Sequence, residues 1–169
     1  MIIIVDSIDR VGKTTLCEKL AKETGFKIYK HSEEGKKYSE MTDEGETSTM
    51  LAMLSLYKLY PENGVIFDRF HLSNTIYGQL YRNYDPSTSF KNFKKIDKVL
   101  SDLKDTVLVR VAPCDLERSN REHGKDQTAC NELMRQYFNE SNIPYKFECT
   151  YHTIDETVEK IKNLIEELK

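Results

Sequence analysis

The stretch MIIIVDSIDRVGKTTLCEKLAKETG, residues 1–25, carries the sequence signals that decide the fold. Residues 1–5 form a short apolar run that is β-branched after its first residue, which is typical of a strand buried on both faces. Residues 13–24 have apolar side chains at helical spacing, and Gly25 follows them as a candidate C-cap. The stretch is therefore predicted to fold as a buried strand, a polar loop and a helix.

The rest of the chain continues this alternation of strands and helices. Further strands are predicted at residues 26–30, 65–68, 106–112 and 149–154. Helices are predicted at residues 47–60, 72–81, 90–103, 128–141 and 155–168, with a loop at 31–46. Alternating strands and helices pair in parallel through helical crossovers, so we expect an α/β three-layer sandwich around a parallel five-stranded sheet. No linker divides the chain, and residues 1–169 are expected to form one domain.

The composition narrows the classes of protein to which the chain can belong. Apolar residues make up 38% and charged residues 31%, with a net charge of −3, which is typical of a globular protein. A mildly acidic chain without basic blocks is a poor candidate for binding long nucleic acid. No apolar run approaches the ~20 residues that span a bilayer, and the first residues lack the basic leader of a signal peptide. We therefore expect a cytoplasmic protein with small-molecule partners, no long nucleic acid and no membrane.

Residues 7–14 nearly match the phosphate-binding pattern G-x-x-x-x-G-K-[ST], in the strand–loop–helix context that the pattern requires. Gly12 permits close approach of the backbone, and the helix that begins at Lys13 offers unpaired N–H groups and a positive dipole end. Lys13 can reach the β- and γ-phosphates of a nucleotide, and the Thr14 hydroxyl can bind Mg²⁺. The alternative is an accidental match in which Lys13 is solvated.

The loop departs from the pattern at two positions. Ser7 stands where the pattern has glycine, and a serine pays a steric cost if the site requires a positive φ. Its small hydroxyl could instead donate to a phosphate. Arg10 places a bulky cation inside a loop that has to lie close to phosphates.

Three polar clusters follow predicted strands, at residues 6–15, 68–73 and 113–126. In parallel α/β sheets ligands bind at the carboxyl ends of the strands. The sequence therefore predicts that these clusters meet at one edge of the sheet and form one site.

The segment DSIDRVGKTT resembles the phosphate loop of the thymidylate kinase family of nucleoside and deoxynucleoside monophosphate kinases, which often reads E-G-x-D-G/R-x-G-K-[ST]-T. The resemblance implies a P-loop NTPase (nucleotide kinase) fold that uses ATP and Mg²⁺. It also implies that Arg10 reaches the phosphoryl group being transferred, as a catalytic cation beside Lys13, and that Asp9 binds the sugar 3′-hydroxyl of the monophosphate. The donor phosphates would be held by the loop residues Ser7, Val11, Gly12, Lys13, Thr14 and Thr15.

The segment FDRFHLSNTIY is similar to the family's D-R-[YFH]-x-x-S-x-x-A-[YF] motif. The similarity implies that Asp68 holds the metal through water or orients the acceptor phosphate, and that Arg69 binds that phosphate with its planar fork of donors. It adds three substrate contacts, Phe70, Ser73 and Tyr77. The alternative is an Asp–Arg pair that joins helix and sheet, with Phe70 and Tyr77 in the core.

Residues 113–127 resemble the lid that closes over the donor nucleotide in this family. Arg118 follows Pro113 at the family's spacing and is the expected catalytic lid residue, with Arg121 as a second donor contact. A closing lid excludes water that would otherwise take up the phosphoryl group. The alternative is a solvated, charged helix turn.

The resemblance fails where the family reads thymine. Helix 47–60 has only Lys58 where thymine-reading members usually carry an arginine, and Gly78 stands where they carry a glutamine. A site that has lost these donors prefers another base or selects less strictly. The same helix is strongly apolar, and two alternatives remain: it packs fully inside, or it forms a homodimer face.

We therefore expect a nucleoside monophosphate kinase that moves the γ-phosphoryl group of ATP, with Mg²⁺, to a monophosphate, with a deoxynucleotide as the natural guess because of Asp9. A deoxynucleoside kinase that acts on a free 5′-hydroxyl, with Asp68 as base, is the first alternative. A non-catalytic nucleotide-binding protein, in which Ser7 marks a decayed loop, is the second.

Overall fold

A five-stranded parallel sheet forms the centre of the computed structural model, which describes residues 1–30, 42–59 and 64–168. The strands are β1 (Ile2–Asp6), β2 (Lys27–Lys30), β3 (Val65–Asp68), β4 (Thr106–Val111) and β5 (Tyr145–Cys149). Their order in the sheet is β2-β3-β1-β4-β5, and every neighbouring pair is parallel. The predicted parallel sheet and its strand count are confirmed.

Helices cover both faces of this sheet and complete the predicted three-layer α/β sandwich. They are α1 (Lys13–Thr24), α2 (Asp43–Leu59), α3 (His71–Tyr81), α4 (Pro86–Asp102), α5 (Leu116–His123), α6 (Thr128–Glu140) and α7 (Ile154–Glu167), with a 3₁₀ turn at Tyr151–Thr153. Helices α1 and α7 pack against each other, while α3 packs against α4 and α6. No helix among the described residues is long and apolar enough to cross a bilayer.

Strand β1 is the most buried element of the sheet. Its first four side chains, Ile2, Ile3, Ile4 and Val5, have no exposed surface. It pairs with β3 on one edge and with β4 on the other, so that Val5 is opposite Asp68 and Asp6 is opposite Arg110. The three strands therefore end at one level, and the polar residues that follow them meet at a single edge.

The structure corrects several predicted boundaries. Helix α4 begins at Pro86 because the Asp85 carboxylate caps it, accepting from the Thr88 N–H at 2.9 Å. The charged segment 113–127 is not a plain turn: it contains α5, capped by Asp115 and ended by Gly124 with φ 74°. Sequence reasoning missed α5 because it is only eight residues long and Leu116 is its only apolar residue, so no stripe of apolar side chains marks it.

Two other boundaries differ from prediction. The fifth strand lies at 145–149 instead of 149–154, and α2 begins at Asp43 instead of residue 47. The predicted loop at 31–46 falls largely on residues 31–41, which lie outside the described residues, as does residue 60.

Helix α2 is only partly buried. Met50 and Leu54 are buried, whereas Leu56 and Leu59 are 60% and 70% exposed. The alternative that this helix packs fully inside is therefore wrong. The homodimer face stays a prediction.

Gly78 lets an aromatic ring pack against the middle of α3. A Cβ built at Gly78 would lie 2.3 Å from Cδ2 of Tyr84, and the Tyr84 N–H donates to the Gly78 carbonyl at 3.1 Å. The Tyr84 ring thus occupies the space beside Gly78, the position where thymine-reading members of the thymidylate kinase family carry a glutamine.

We expect Gly78→Ala to lower the free energy of unfolding by about 1–2 kcal/mol, because overpacking against Tyr84 outweighs the helix propensity gained. In a Tyr84→Ala background the same change should raise it by up to about 1 kcal/mol, since only the propensity gain remains. Urea denaturation of the four proteins of this double-mutant cycle measures both values. An effect of the same sign in both backgrounds would show that the ring does not occupy this space.

Candidate functional site

The loop between β1 and α1 has the backbone geometry of an anion site. Gly12 is the N-cap of α1 with φ 98°, and its carbonyl accepts the Leu16 N–H at 3.1 Å. A Cβ at this position would lie 2.7 Å from the Tyr151 ring, so only glycine fits. The exposed Thr14 and half-buried Thr15 follow in the first turn, which has no acidic residue. The unpaired N–H groups of this turn therefore remain available to phosphate oxygens.

Ser7 does not pay the steric cost that the sequence suggested. It is absent from the four non-glycine residues that have positive φ among those described: Arg10, Arg69, Asn83 and Lys104. Its buried hydroxyl donates to the Ile8 carbonyl at 2.9 Å, so it supports the loop and is not directed at a phosphate. The non-glycine residue of this loop that has a positive φ is Arg10, whose φ is 63° and whose side chain is exposed.

Lys13 lies beside a carboxylate at the sheet edge. Its Nζ donates to Oδ1 of Asp68, and the two side chains are only 12% and 5% exposed. Burial, together with the nearby charge of Arg69, lowers the pKa of Lys13 to about 8. The ammonium group has therefore lost most of its water and would gain from contact with phosphate oxygens.

Arg69 contacts other residues that are predicted to lie on the acceptor side of the site. It leaves β3 with φ 70°, and its N–H donates to the Val5 carbonyl at 3.0 Å. Its guanidinium donates to Oδ1 of Asp9 and to the Ser7 carbonyl, the latter at 3.1 Å, and lies 5.0 Å above the Tyr77 ring. The structure thus brings Asp9, Arg69 and Tyr77 together, as the sequence predicted.

Phe70 and Ser73, which are predicted as substrate contacts, are instead buried beneath the site and support it. Phe70 has no exposed surface, and its ring stacks on Phe67 with centroids 4.5 Å apart. Ser73 is 3% exposed and donates to Oδ1 of Asp6. Both predicted contacts are corrected, because neither side chain lines an open surface in this structure.

Asp6, which sequence reasoning missed, anchors this support. It is fully buried at the end of β1, and its Oδ1 also accepts the Phe70 N–H at 3.4 Å. It joins β1 to the beginning of α3 and so fixes the segment that carries Arg69. The signal was present in the sequence, because a carboxylate that ends an otherwise apolar buried strand requires a partner.

A cleft of about 630 Å³ lies between the loop and the predicted lid. It is lined by Arg10 and Gly12 from the loop, Arg118 and Glu122 from α5, and Tyr151 and His152 from the turn after β5. Arg118 is largely exposed, and its Nε donates to Oε1 of Glu122 at 2.7 Å. Arg121 is exposed and is not among the lining residues. No motif pointed to Tyr151 and His152, which come close to the loop only through the fold.

An ion pair joins α2 to the residue that follows α3. The guanidinium of Arg82 donates to Oε1 of Glu46, whose side chain is 2% exposed. Burial raises the pKa of Glu46 above its ordinary value, despite the nearby charge of Arg82. Sequence reasoning looked for a cation on the helix that contains Lys58. The structure places a different cation, Arg82, directly after α3 and in contact with Glu46 of α2.

No protein-family model and no curated protein matches the sequence. Solved structures do match its fold. The YorR protein of Bacillus subtilis, in complex with phosphorylated GDP, is 22% identical with a TM-score of 0.67, over 98% of this chain and 96% of that chain. Deoxyadenosine kinase of M. mycoides, with dCMP and dCDP, is 17% identical with a TM-score of 0.57, over 100% of both chains.

A third match is the NadR protein in complex with NR, which is 17% identical with a TM-score of 0.56. It covers 87% of this chain and 43% of that chain, so this chain spans less than half of that protein. At such identities the likeness establishes the fold alone, and the predicted α/β three-layer sandwich around a parallel five-stranded sheet is confirmed. None of these structures singles out the thymidylate kinase family, so that resemblance stays a prediction.

We expect the affinity for Mg-ATP to fall as the pH rises through about 8, approaching about tenfold per pH unit, because Lys13 must keep its proton to attract phosphate. Titration calorimetry between about pH 7 and about pH 9.5 measures the profile, above the second phosphate pKa of about 6. Burial raises the pKa of Cys17 to about 12 and that of Cys130 to about 11, so neither thiol titrates in this window. Lys13→Arg is the matched control, since arginine stays charged and its profile should be flat. A flat wild-type profile would contradict the role given to Lys13.

Proposed function

We propose that this chain is a Mg-ATP-dependent kinase that transfers the γ-phosphoryl group to a nucleoside monophosphate, with a deoxynucleotide as the natural acceptor. The observation that carries the proposal is the pair of cations Lys13 and Arg69, each 12% exposed, placed beside Asp68 at the end of β3. Desolvated cations favour anions. Lys13, at the end of the loop, suits donor phosphates. Arg69, beside Asp9, suits the phosphate of an acceptor.

The donor side is supported by the loop and by the cleft. The N-terminal turn of α1 and Lys13 would hold the β- and γ-phosphates, while Arg10 points from the loop into the cleft. Tyr151 is 56% exposed beside Gly12 and offers a ring on which a nucleotide base can pack. Arg10 and Arg118 would neutralise charge on the transferred group, which is the main catalytic need in phosphoryl transfer.

The residues at the sheet edge fit a magnesium ion carried by the nucleotide. No group of three histidine, cysteine or acidic side chains among the described residues could hold a metal alone. In phosphoryl-transfer sites, one or two protein oxygens and the substrate phosphates hold Mg²⁺. The Thr14 hydroxyl and the Asp68 carboxylate are oxygen donors of the required kind, and the bound ion would neutralise charge on the phosphates.

The acceptor side is supported by Arg69, Asp9 and Tyr77. Two of the guanidinium contacts already hold Asp9 and the Ser7 carbonyl, and its planar fork can offer further N–H groups to a phosphate. Asp9 would read a sugar hydroxyl.

A nucleoside kinase is the second candidate. The observation that favours it is that Arg69 is already occupied by Asp9 and the Ser7 carbonyl, while the buried Asp68 could accept the proton of a 5′-hydroxyl. A binding protein without catalysis loses its main support, because Ser7 lies unstrained in the loop.

Since ATP and nucleotides are cytosolic metabolites, we place the protein in the cytoplasm and in nucleotide biosynthesis. The exposed Leu56 and Leu59 are the proposed homodimer face.

ADP release from Mg-ATP, measured with each deoxy- and ribonucleoside monophosphate and each nucleoside, tests the proposal. We expect release to depend on one monophosphate, and kcat/KM for it to fall at least about 100-fold in Arg69→Ala, because that change removes a nearly buried charged partner. Arg135→Ala, at an exposed arginine of α6, is the matched control and should change kcat/KM less than about twofold.

Three other outcomes are informative. Release that depends on a nucleoside alone would favour the second candidate over the first. Release that is unchanged in Arg69→Ala would contradict the role of this residue. ATP binding without acceptor-dependent release would contradict both kinase functions.

Arg10 provides a separate test. Its positive φ favours glycine at this position, whereas its proposed role requires a guanidinium group. We expect both Arg10→Gly and Arg10→Ala to lower kcat by about 10³-fold, the lower end of the effect of arginines that stabilise transferred phosphoryl groups. Arg10→Gly should be more stable to unfolding than Arg10→Ala by about 1 kcal/mol, since only glycine adopts φ 63° without strain. Steady-state kinetics and urea denaturation measure the two effects. Wild-type kcat in Arg10→Gly would show that the guanidinium is not used.

A further inference from the structure

Two side chains of the predicted lid segment hold the main chain of Asp9. Ser119, in α5, donates from its hydroxyl to the Asp9 carbonyl at 2.9 Å. The Asp9 N–H donates to Oε1 of Gln127, the residue before α6, at 2.9 Å. We call this arrangement the Asp9 clamp, and it takes up both polar groups of the Asp9 main chain.

The clamp residues are themselves fixed by buried hydrogen bonds. Gln127 and Ser119 are 2% and 4% exposed, and Nε2 of Gln127 lies 3.3 Å from Oγ of Ser119. The Gln127 N–H donates to Oδ1 of Asn120 at 2.9 Å, and its carbonyl accepts the Asn131 N–H at 2.8 Å. A buried amide held on all sides has one orientation, so Gln127 presents a preorganised acceptor to the loop.

Asp9 connects the two sides of the site. Its carboxylate accepts from Nη2 of Arg69 and from the Tyr77 hydroxyl, the latter at 3.4 Å, on the acceptor side. Its main chain is held by the segment whose outer face carries Arg118 at the cleft. A displacement of α5 that stretches the clamp therefore moves the Asp9 peptide, and with it the carboxylate that orients Arg69.

We infer that Gln127 is a positioning residue: through the Asp9 clamp it fixes the carboxylate of Asp9, and thereby the acceptor side of the site, relative to helix α5. The inference rests on the proposed function for its catalytic consequence and on the hydrogen bonds alone for the clamp. It assigns a role to a glutamine at the end of the predicted lid segment that no sequence pattern singled out. Lid and acceptor side would then communicate through the main chain of one residue, Asp9.

Gln127→Met tests the inference with a side chain of similar length that has no amide. The cap of α6 should survive, because the Gln127 side chain makes no capping hydrogen bond. Gln136→Met is the matched control, since Gln136 is an exposed glutamine of the same helix that donates to Glu140 at 3.1 Å. Ser119→Ala removes the second half of the clamp and gives an independent variant if Gln127→Met folds poorly.

Amide hydrogen exchange at Asp9 reports on the clamp without any activity. We expect exchange on the order of tenfold faster in Gln127→Met and unchanged in Gln136→Met, because the Asp9 N–H loses its buried acceptor. In the same protein, KM for the acceptor should rise on the order of tenfold, with KM for ATP within about twofold of wild type. A purely structural role would move both KM values or the thermal midpoint instead.

The outcomes separate the clamp from the proposed function. Unchanged exchange at Asp9 in both clamp variants would overturn the clamp. Faster exchange with an unchanged acceptor KM, or with equal increases in both KM values, would overturn the positioning role. If the wild-type protein transfers phosphate to no acceptor, the proposed function fails, and faster exchange at Asp9 would then support the clamp alone.

Discussion

Hydrogen bonding of β1 on both edges is the constraint on which the rest of the structure depends. β4 pairs with it from Ile2 to Asp6 and β3 pairs with it from Ile2 to Val5, so the three strands end close to one level. The chain has to leave the sheet directly after Asp6, between two neighbours that also end there. The phosphate loop, the Asp68–Arg69 pair and the segment that leads to α5 are therefore neighbours by topology, although they lie up to about a hundred residues apart along the chain.

Charged side chains that are buried together at one edge of the sheet have to form ion pairs. Lys13 is held by Asp68 and Arg69 by Asp9, because an isolated buried charge would cost several kcal/mol in lost hydration. These pairs stabilise the ligand-free site and also compete with its ligands. Under the proposed function, phosphate oxygens would replace carboxylates at Lys13 and Arg69, and burial together with the charge of Arg69 lowers the pKa of Lys13. Binding is thus an exchange of partners in a site that is already assembled.

The sequence predicted the parts of the molecule that depend on local pattern. The apolar run of β1, the spacing in α1 and the glycine at position 12 each have a local physical cause, and the structure has them in place. Side chains whose roles depend on packing could not be predicted. Phe70 and Ser73 fit a motif but turn into the core, while Ser119 and Gln127 fit no motif and reach Asp9 only because α5 folds back over the loop. A spacing rule fixes the order of residues and not the side of the backbone to which a side chain points.

The two strained arginines show where function has outweighed backbone preference. Among the described non-glycine residues with positive φ, Asn83 and Lys104 are exposed and lie just beyond the ends of helices, where such a conformation is common. Arg10 and Arg69 instead lie in the loop and at the end of β3, where glycine would adopt the same φ without strain. An arginine there costs about 1–2 kcal/mol of backbone strain that a glycine would avoid. Its presence is explained by what the guanidinium contacts, which is Asp9 for Arg69 and the open cleft for Arg10.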